Sequence, residues 1–195
     1  MGRTGEVKRK TGETDVMVRI DLDGSGQTSV DTGVPFFDHM LDAFGRHALV
    51  DLTVTARGDL AVDAHHTVED VGICLGHAVR DALGDKRGIR RFGDAAVPMD
   101  EALVLCAVDV SGRGQVVWEV EPPLEIIGSF DTQLLKEFLI AFATNAELTL
   151  HAHEVAGENA HHIVEASFKA FARALAEAIS IDPRATGVPS TKGAL

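Results

Sequence analysis

The stretch His65-His66-Thr67-Val68-Glu69 occurs a second time in the chain as His161-His162-Ile163-Val164-Glu165, which indicates an internal duplication. Each copy stands at the start of a long segment with helical periodicity, at 64–83 and 160–180. On a helix, residues four apart share a face, whereas neighbours point about 100° apart. One helix therefore cannot easily give both adjacent histidines to one ion, so each copy is expected to serve two metals. Two copies predict a two-metal site.

The repeat extends well beyond the motif. Residues 18–27 match residues 106–115 in pattern, as an alternating strand that enters a glycine-rich turn. A second strand follows each turn, at 27–31 and at 115–121. Two strands joined by a short turn of this composition predict a β-hairpin in each half.

Each half also has the periodicity of a first strand, an amphipathic helix and a strand before its motif helix. These elements are predicted at 5–11, 35–47 and 49–54 in the first half and at 95–98, 131–145 and 147–151 in the second. The pattern predicts an internally duplicated α+β fold in which two antiparallel β-sheets sandwich a four-helix layer. We expect a first half at 1–84, a second at 85–182 and an irregular C-terminal tail at 183–195, with both halves forming one structural unit.

Composition narrows the classes of partner. The formal net charge of −12 argues against nucleic acid or an anionic membrane as a partner, so an anionic substrate needs a local basic cluster. Cys74 and Cys106 each lie in an apolar segment without a close second thiol, which indicates reduced, buried side chains. With no apolar run of membrane length and no signal-peptide pattern at the N-terminus, we expect a cytoplasmic protein.

The superposition of the two halves extends the set of metal ligands. Aligning Leu41 with Leu139 places His39 on Glu137, and both are metal-ligand types. Eight candidate ligands result: His39, His65, His66, Glu69, Glu137, His161, His162 and Glu165. Pseudo-symmetry divides them into one group for each of two ions. The first group is His39, His66, His161 and Glu165, and the second is His65, Glu69, Glu137 and His162.

Nitrogen and carboxylate donors without a thiolate suit Mn, Fe, Co or Zn, and four protein ligands with room left over favour octahedral Mn(II). An alternative interpretation is that these residues are exposed side chains at helix N-termini, where acidic groups are favoured. A single His-x-x-x-Glu would support that alternative. The duplication, with adjacent histidines in both copies, favours the metal site.

Several segments together resemble the imidazoleglycerol-phosphate dehydratase family of histidine biosynthesis. They are 38–42, 63–70, 157–162 and 168–173, and the similarity runs from Arg9-Lys10-Thr11 to the tail at 189–193. The resemblance implies a hydro-lyase with a duplicated α+β fold and two Mn(II) ions per active site. It also implies a 24-subunit octahedral assembly with active sites between subunits.

The resemblance also assigns roles residue by residue. The family's metal ligands fall on the eight positions already selected, with Glu137 at a position where the family has His or Glu. Its acid/base glutamate falls on Glu13, which otherwise reads as an ordinary strand-edge charge. Its phosphate-binding groups fall on Arg91, Arg113, Lys169, Ser190 and Lys192.

The implied reaction converts D-erythro-imidazole glycerol phosphate to imidazole acetol phosphate with loss of water. The hydrogen to be removed is not next to a carbonyl, so it is barely acidic. Two Lewis-acid ions on the ring nitrogens would stabilise an imidazolate, which expels the hydroxyl to give a diazafulvene-like intermediate. Glu13 would move the carbon-bound proton or protonate the leaving oxygen, and both assignments stay open.

Two other functions fit part of the pattern. A two-metal hydrolase acting on a phosphate ester would use the same ligands and release inorganic phosphate. A metal-dependent assembly or storage module would use them for subunit contacts, although it has no use for the basic residues Arg91, Arg113, Lys169 and Lys192. A ferritin-like bundle is disfavoured, because strands interrupt each helix pair.

Overall fold

The computed structural model describes residues 2–193 and 195. Met1 and Ala194, which belong to the predicted first half and the predicted tail, lie outside the described residues. The chain order of the elements is β1 (Thr4–Lys10), β2 (Thr14–Asp21), β3 (Thr28–Asp31), α1 (Pro35–Ala48), β4 (Asp51–Gly58), α2 (His65–Leu83), β5 (Phe92–Met99), β6 (Ala102–Asp109), β7 (Gln115–Glu119), β8 (Ile126–Ile127), β9 (Phe130–Asp131), α3 (Leu134–Asn145), β10 (Thr149–Ala156) and α4 (Ala160–Ile179). The two halves repeat the same sequence of main elements, so the duplicated α+β fold is confirmed.

The strands form two four-stranded sheets with matching topologies. Their orders are β1-β2-β4-β3 and β5-β6-β10-β7. The sheets are mixed rather than antiparallel throughout, because β3 runs parallel to β4 and β7 runs parallel to β10. The predicted hairpins are wrong, since β4 lies between β2 and β3, and β10 lies between β6 and β7.

The glycine-rich turn explains this strand order in the first sheet. The carboxylate of Asp51, the first residue of β4, accepts the backbone N–H groups of Ser25 at 2.8 Å and Gln27 at 2.9 Å in this turn. A Cβ on Gly24 would lie 2.3 Å from the backbone nitrogen of Asp51. The turn glycine therefore lets a strand that comes later in the chain enter beside β2.

The helices fill the space between the sheets and pair across the two halves. α2 packs on β1 and β2, and α4 packs on β5 and β6, while α1 contacts α4 and α2 contacts α3. Phenylalanines fill the centre. Phe138 on α3 lies 5.3 Å from Phe37 on α1 and 5.2 Å from Phe168 on α4, measured between ring centroids. Helices from both halves therefore share one hydrophobic core.

Two glycines set the distance between α2 and α3. A Cβ on Gly72 would lie 2.8 Å from the carbonyl oxygen of Phe138, and one on Gly76 would lie 2.5 Å from that of Phe142. Because only hydrogen fits at these positions, the helix backbones approach closely. This contact fixes α2, which carries the first histidine motif, against α3, which carries Glu137.

Helix α3 begins later than predicted, because the residues before it form a short β-ribbon. The helix begins at Leu134 rather than at 131, because Phe130–Asp131 pairs with Ile126–Ile127 as a two-stranded ribbon. Within residues 2–193 and 195, the helices lack the combination of length and apolar character that a membrane crossing requires.

Candidate metal centre

Three of the eight predicted ligands converge at the point where α1 meets α4. His161 Nε2 lies 3.1 Å from Glu165 Oε2, and His39 Nε2 lies 3.7 Å from the same oxygen. One donor atom from each residue lies within 4.8 Å of the other two. Two imidazoles and a carboxylate at this separation fit a divalent cation of the Mn, Fe, Co or Zn class. The two halves of the chain share this cluster, since His39 belongs to the first half.

The surrounding side chains hold the cluster in place. The Phe36 ring packs edge-on against the His161 ring, with centroids 5.0 Å apart. Asp38 accepts hydrogen bonds from the backbone N–H of Thr32 at 2.9 Å and from the Thr32 hydroxyl at 2.5 Å, which fixes the first turn of α1. The first contact restricts the His161 ring, and the second restricts the position of His39, which follows Asp38 on α1.

Glu165 is held as a carboxylate. Its side chain is only 9% exposed, and burial acts to raise its pKa. The hydrogen bond from Lys169, the charge of Lys169 and the hydrogen bond from His161 outweigh burial, so the pKa of Glu165 lies below its usual value. The carboxyl group is therefore ionised at neutral pH, as a metal ligand must be.

The predicted ligands of the second group are less tightly gathered. His65 Nε2 lies 3.9 Å from Glu69 Oε2 on the next turn of α2. His65 and Glu137 line one cavity of about 430 Å³, together with the apolar side chains of Leu60 and Ile126. Three potential ligands of the second group thus lie at the junction of α2 and α3.

Within residues 2–193 and 195 of one chain, neither His66 nor His162 joins the cluster of His39, His161 and Glu165. His66 Nδ1 lies 3.0 Å from Asp59 Oδ2, and its pKa is raised chiefly by that hydrogen bond. His162 Nδ1 lies 2.7 Å from Glu101 Oε2, and its pKa is likewise raised, chiefly by the hydrogen bond to Glu101. Pseudo-symmetry relates these two histidines, and both contact a carboxylate outside the predicted set.

Sequence reasoning missed Glu101. It also accepts the backbone N–H groups of Glu158 and Asn159 just before α4. The hydrogen bonds from Asn159 and His162 lower the pKa of Glu101 to about 2. The duplication contained a signal for it, because the alignment of residues 18–27 with 106–115 also places Glu13 on Glu101.

Glu13 lies in the turn between β1 and β2. Its side chain is 58% exposed, and Glu13 Oε2 lies 3.8 Å from His66 Nδ1. The next residue anchors the turn, because the Thr14 hydroxyl donates to the buried carboxylate of Asp70 on α2. Arg9 Nη1 also contacts Asp70, at 2.6 Å. The turn that carries Glu13 is thus tied to the motif helix.

Four of the five residues assigned to phosphate binding line one cavity of about 420 Å³: Arg91, Arg113, Ser190 and Lys192. The Arg91 guanidinium is oriented by Asp109, with Nε at 2.7 Å from Oδ1, and by the Pro189 carbonyl at 3.0 Å. Its backbone has a left-handed φ of 77°, and its N–H donates to the Ala178 carbonyl at 2.8 Å. Lys169 lies apart from this cavity, beside Glu165 on α4.

The fold and the site define an internally duplicated α+β protein with a histidine–carboxylate cluster shared between its halves. A model of the family described as imidazoleglycerol-phosphate dehydratase matches residues 32–175. The chain therefore belongs to the imidazoleglycerol-phosphate dehydratase family and is an enzyme of the hydro-lyase class.

Individual relatives are similar over at least 93% of their own lengths. A protein of Jannaschia sp. (strain CCS1) named imidazoleglycerol-phosphate dehydratase is 58% identical over 99% of this chain and 100% of its own. One of Symbiobacterium thermophilum with the same name is 60% identical over 99% of this chain and 93% of its own.

Two solved structures share the fold. The imidazoleglycerol-phosphate dehydratase of Staphylococcus aureus matches with a TM-score of 0.84 at 36% identity, over 92% of this chain and 99% of that one. The Pyrococcus furiosus structure matches with a TM-score of 0.83 at 40% identity, over 97% of this chain and 100% of that one.

Proposed function

We propose that this enzyme dehydrates D-erythro-imidazole glycerol phosphate to imidazole acetol phosphate in L-histidine biosynthesis, with two Mn(II) ions per active site. The observation that carries the proposal is the convergence of His39, His161 and Glu165 within 4.8 Å, on helices from both halves of the chain. The names of the full-length relatives support the substrate. We place the reaction in the cytoplasm, where free thiols such as Cys74 and Cys106 stay reduced.

The ligands of the two ions would come from more than one copy of the chain. The first ion would take His39, His161 and Glu165, with His66 of another copy as the fourth ligand. The second would take His65, Glu69 and Glu137, with His162 of another copy as the fourth ligand. This arrangement accounts for His66 and His162 lying outside both groups within one chain, and it supports a homo-oligomer with sites between subunits. The family resemblance implies that this homo-oligomer is a 24-subunit octahedral assembly.

The apolar surface supports such an assembly. Ile126 and Leu60, which line the cavity beside His65 and Glu137, are 71% and 38% exposed, and nearby along the chain Val62 is 72% and Leu124 79% exposed. Exposed apolar patches that border a polar site are typical of protein interfaces. Association through this surface would bury the patch and enclose the ligands together.

The two ions would supply Lewis-acid stabilisation of negative charge on the imidazole ring. Glu13 would exchange the proton, either by taking it from carbon or by giving it to the leaving hydroxyl. Its exposed carboxylate, in a turn fixed by Thr14 and Asp70, can reach a substrate bound near His66. Because the turn is anchored to α2, the carboxylate keeps its position relative to the motif helix.

The substrate phosphate would lie in the basic cavity. Arg91, Arg113, Ser190 and Lys192 line it, and Asp109 keeps the Arg91 guanidinium oriented. Lys169 would join them by exchanging its contact with Glu165 for the phosphate. Binding of the phosphate would orient the reacting carbon relative to Glu13. Holding reacting groups in a productive geometry lowers the activation barrier. The chain's net charge of −12 makes this local cluster necessary for any anionic substrate.

Removal of single ligands tests the proposal. Glu165→Gln and His66→Ala should each lose bound metal and keto-product formation while the chain still folds. His153→Ala is the matched control, because His153 pairs with Glu119 away from the ligand groups and should keep both. Metal is counted by elemental analysis and product by an assay on imidazole glycerol phosphate.

Two results would contradict the proposal. Full turnover by metal-free protein would exclude a role for the ions. Release of inorganic phosphate from the substrate would instead identify a two-metal hydrolase, since the dehydration retains the phosphate.

A further inference from the structure

His66 and His162 share a contact that the proposed reaction does not use. In each, the Nδ1 atom faces a carboxylate that is not a proposed metal ligand. His66 Nδ1 lies 3.0 Å from Asp59 Oδ2 and 3.3 Å from Asp59 Oδ1. His162 Nδ1 lies 2.7 Å from Glu101 Oε2.

The two carboxylates occupy different places in the duplicated fold. Asp59 lies between β4 and α2, whereas Glu101 lies in the turn between β5 and β6. The residue that the duplication places opposite Glu101 is Glu13, which stays 3.8 Å from His66 Nδ1 and half exposed. In the first half, Asp59 rather than Glu13 contacts His66 Nδ1, so Glu13 is free for another role. The two halves thus place a carboxylate at the histidine Nδ1 from positions that the duplication does not relate.

A carboxylate at Nδ1 decides which nitrogen of a neutral histidine carries the proton. An ionised carboxylate only accepts hydrogen bonds, so Nδ1 keeps its hydrogen and Nε2 keeps its lone pair. Metal-binding histidines in proteins commonly donate their other ring N–H to a carboxylate in this way. On His162, the Nε2 atom has Asp100 Oδ2 at 3.6 Å, beyond hydrogen-bonding distance, so its lone pair is available.

We propose that Asp59 and Glu101 are positioning residues that fix the Nδ1–H tautomer of His66 and His162 and present Nε2 of each to a divalent cation. The inference rests on the proposed function, because it takes both histidines as ligands. It adds to that function two residues, neither of them a ligand, on which metal affinity depends.

The contacts of Glu101 make a selective test possible. Its Oε1 accepts the backbone N–H groups of Asn159 at 2.8 Å and Glu158 at 3.2 Å, while its Oε2 faces His162. In Glu101→Gln, the amide oxygen can keep the backbone contacts, and the NH₂ group then faces Nδ1. A donor at that position favours the opposite tautomer, in which Nε2 carries the hydrogen and cannot bind a metal.

The experiment is a titration of Mn²⁺ into the full-length assembled protein after removal of metal, with free Mn²⁺ measured by electron paramagnetic resonance. At pH 8.5, Glu101→Gln should weaken binding about 10- to 100-fold, with the melting temperature of the metal-free protein unchanged. Glu119→Gln is the matched control, because it makes the same change at His153, where Nδ1 lies 2.8 Å from the carboxylate. Its Mn²⁺ affinity should equal that of the wild type.

A second pair of variants tests Asp59 independently. Both Asp59 oxygens lie near Nδ1, so Asp59→Asn can turn its carbonyl oxygen toward the ring and keep the tautomer. Asp59→Ala cannot, and it should lose more affinity than Asp59→Asn. Wild-type affinity in both Glu101→Gln and Asp59→Ala would overturn the inference and leave the proposed function intact. Absence of Mn²⁺ binding by the wild-type protein would overturn the proposed function and this inference together.

Discussion

Lys169 Nζ lies 2.6 Å from Glu165 Oε1, one turn away on α4. The other carboxylate oxygen of Glu165 is the one that faces His161 and His39. The proposed metal ligand therefore already has a cation beside it. A divalent ion bound at Glu165 would repel the Lys169 ammonium, which could then turn to the substrate phosphate.

Lys169→Met should consequently have opposite effects on metal and substrate. Removing a positive charge next to the site should raise Mn²⁺ affinity by about 3- to 10-fold, a modest change because solvent screens the interaction. Losing a phosphate contact should raise KM for the phosphorylated substrate. Mn²⁺ titration and steady-state kinetics check both effects. Weaker Mn²⁺ binding in this variant would contradict the repulsion.

Asp70→Ala should destabilise the protein and slow the reaction. The buried carboxylate of Asp70, 7% exposed, serves both Thr14 and Arg9, so its loss leaves two polar groups without their partner. We expect a loss of about 1–3 kcal/mol in the free energy of unfolding, at the lower end because Arg9 is partly exposed. Movement of the turn should lower kcat through Glu13. Denaturant unfolding and kinetics measure the two effects.

The control for this variant is Asp15→Ala. Asp15 pairs with Lys10 on the exposed face of the same two strands, where ion pairs contribute little. It should leave both stability and kcat near wild-type values. Equal effects from both variants would show that the turn does not depend on Asp70.

Gly76→Ala should lower the melting temperature, although alanine favours a helix by about 1 kcal/mol over glycine. The new Cβ would lie 2.5 Å from the carbonyl oxygen of Phe142, so α2 and α3 must separate. Overpacking of this kind costs about 1–3 kcal/mol. Gly187→Ala, where a Cβ meets nothing within 4 Å, is the control. A Gly76→Ala protein as stable as wild type would mean that the helix contact is looser than described.

The two thiols should be unreactive in the folded protein. Burial raises the pKa of Cys74 to about 11 and that of Cys106 to about 12. At pH 8 almost no thiolate forms, and the sulfur atoms are covered by the core. A disulfide reagent such as DTNB should titrate no thiol in the native protein and both after denaturation. Rapid labelling of a native thiol would contradict the burial.

Metal binding should weaken on acidification, starting above pH 6.5. A histidine binds metal only when neutral, and the carboxylates Asp59 and Glu101 raise the pKa values of His66 and His162 above the usual value of 6.5. Protons therefore compete with Mn²⁺ at a higher pH than for a free imidazole. Titrations of Mn²⁺ from pH 8.5 to 5.5 measure the trend, and a flat profile would exclude histidine ligation.

The metal-free protein should show the opposite trend in stability. A pKa raised on folding contributes stability that is fully present below the unfolded value and is lost as pH rises through the folded value. Melting curves of metal-free protein across the same range should show this contribution fading on the alkaline side.

Most helices and strands could be predicted from the sequence, because the periodicity of apolar residues and the internal repeat indicate them. The helix with Leu135, Phe138 and Phe142 on one face and the strand alternation of residues 106–109 lie within the predicted segments, although α3 begins at Leu134 rather than 131 and β6 begins at Ala102 rather than 106. The hairpins were predicted wrongly for a physical reason. Neighbours in a sheet depend on tertiary packing, and β4, whose first residue Asp51 accepts the backbone N–H of Ser25, occupies the place beside β2 that the hairpin prediction gave to β3.

Residue identity and spacing are enough to predict the duplication, the order of the main elements, the family resemblance and the chemical types of the metal ligands. Three contacts needed the folded chain: His39 with His161 and Glu165, His66 and His162 with Asp59 and Glu101, and Lys169 with Glu165. These contacts join residues far apart in the chain. The packing of two sheets around four helices determines which of these distant residues come into contact. The periodicity of the sequence does not specify that packing.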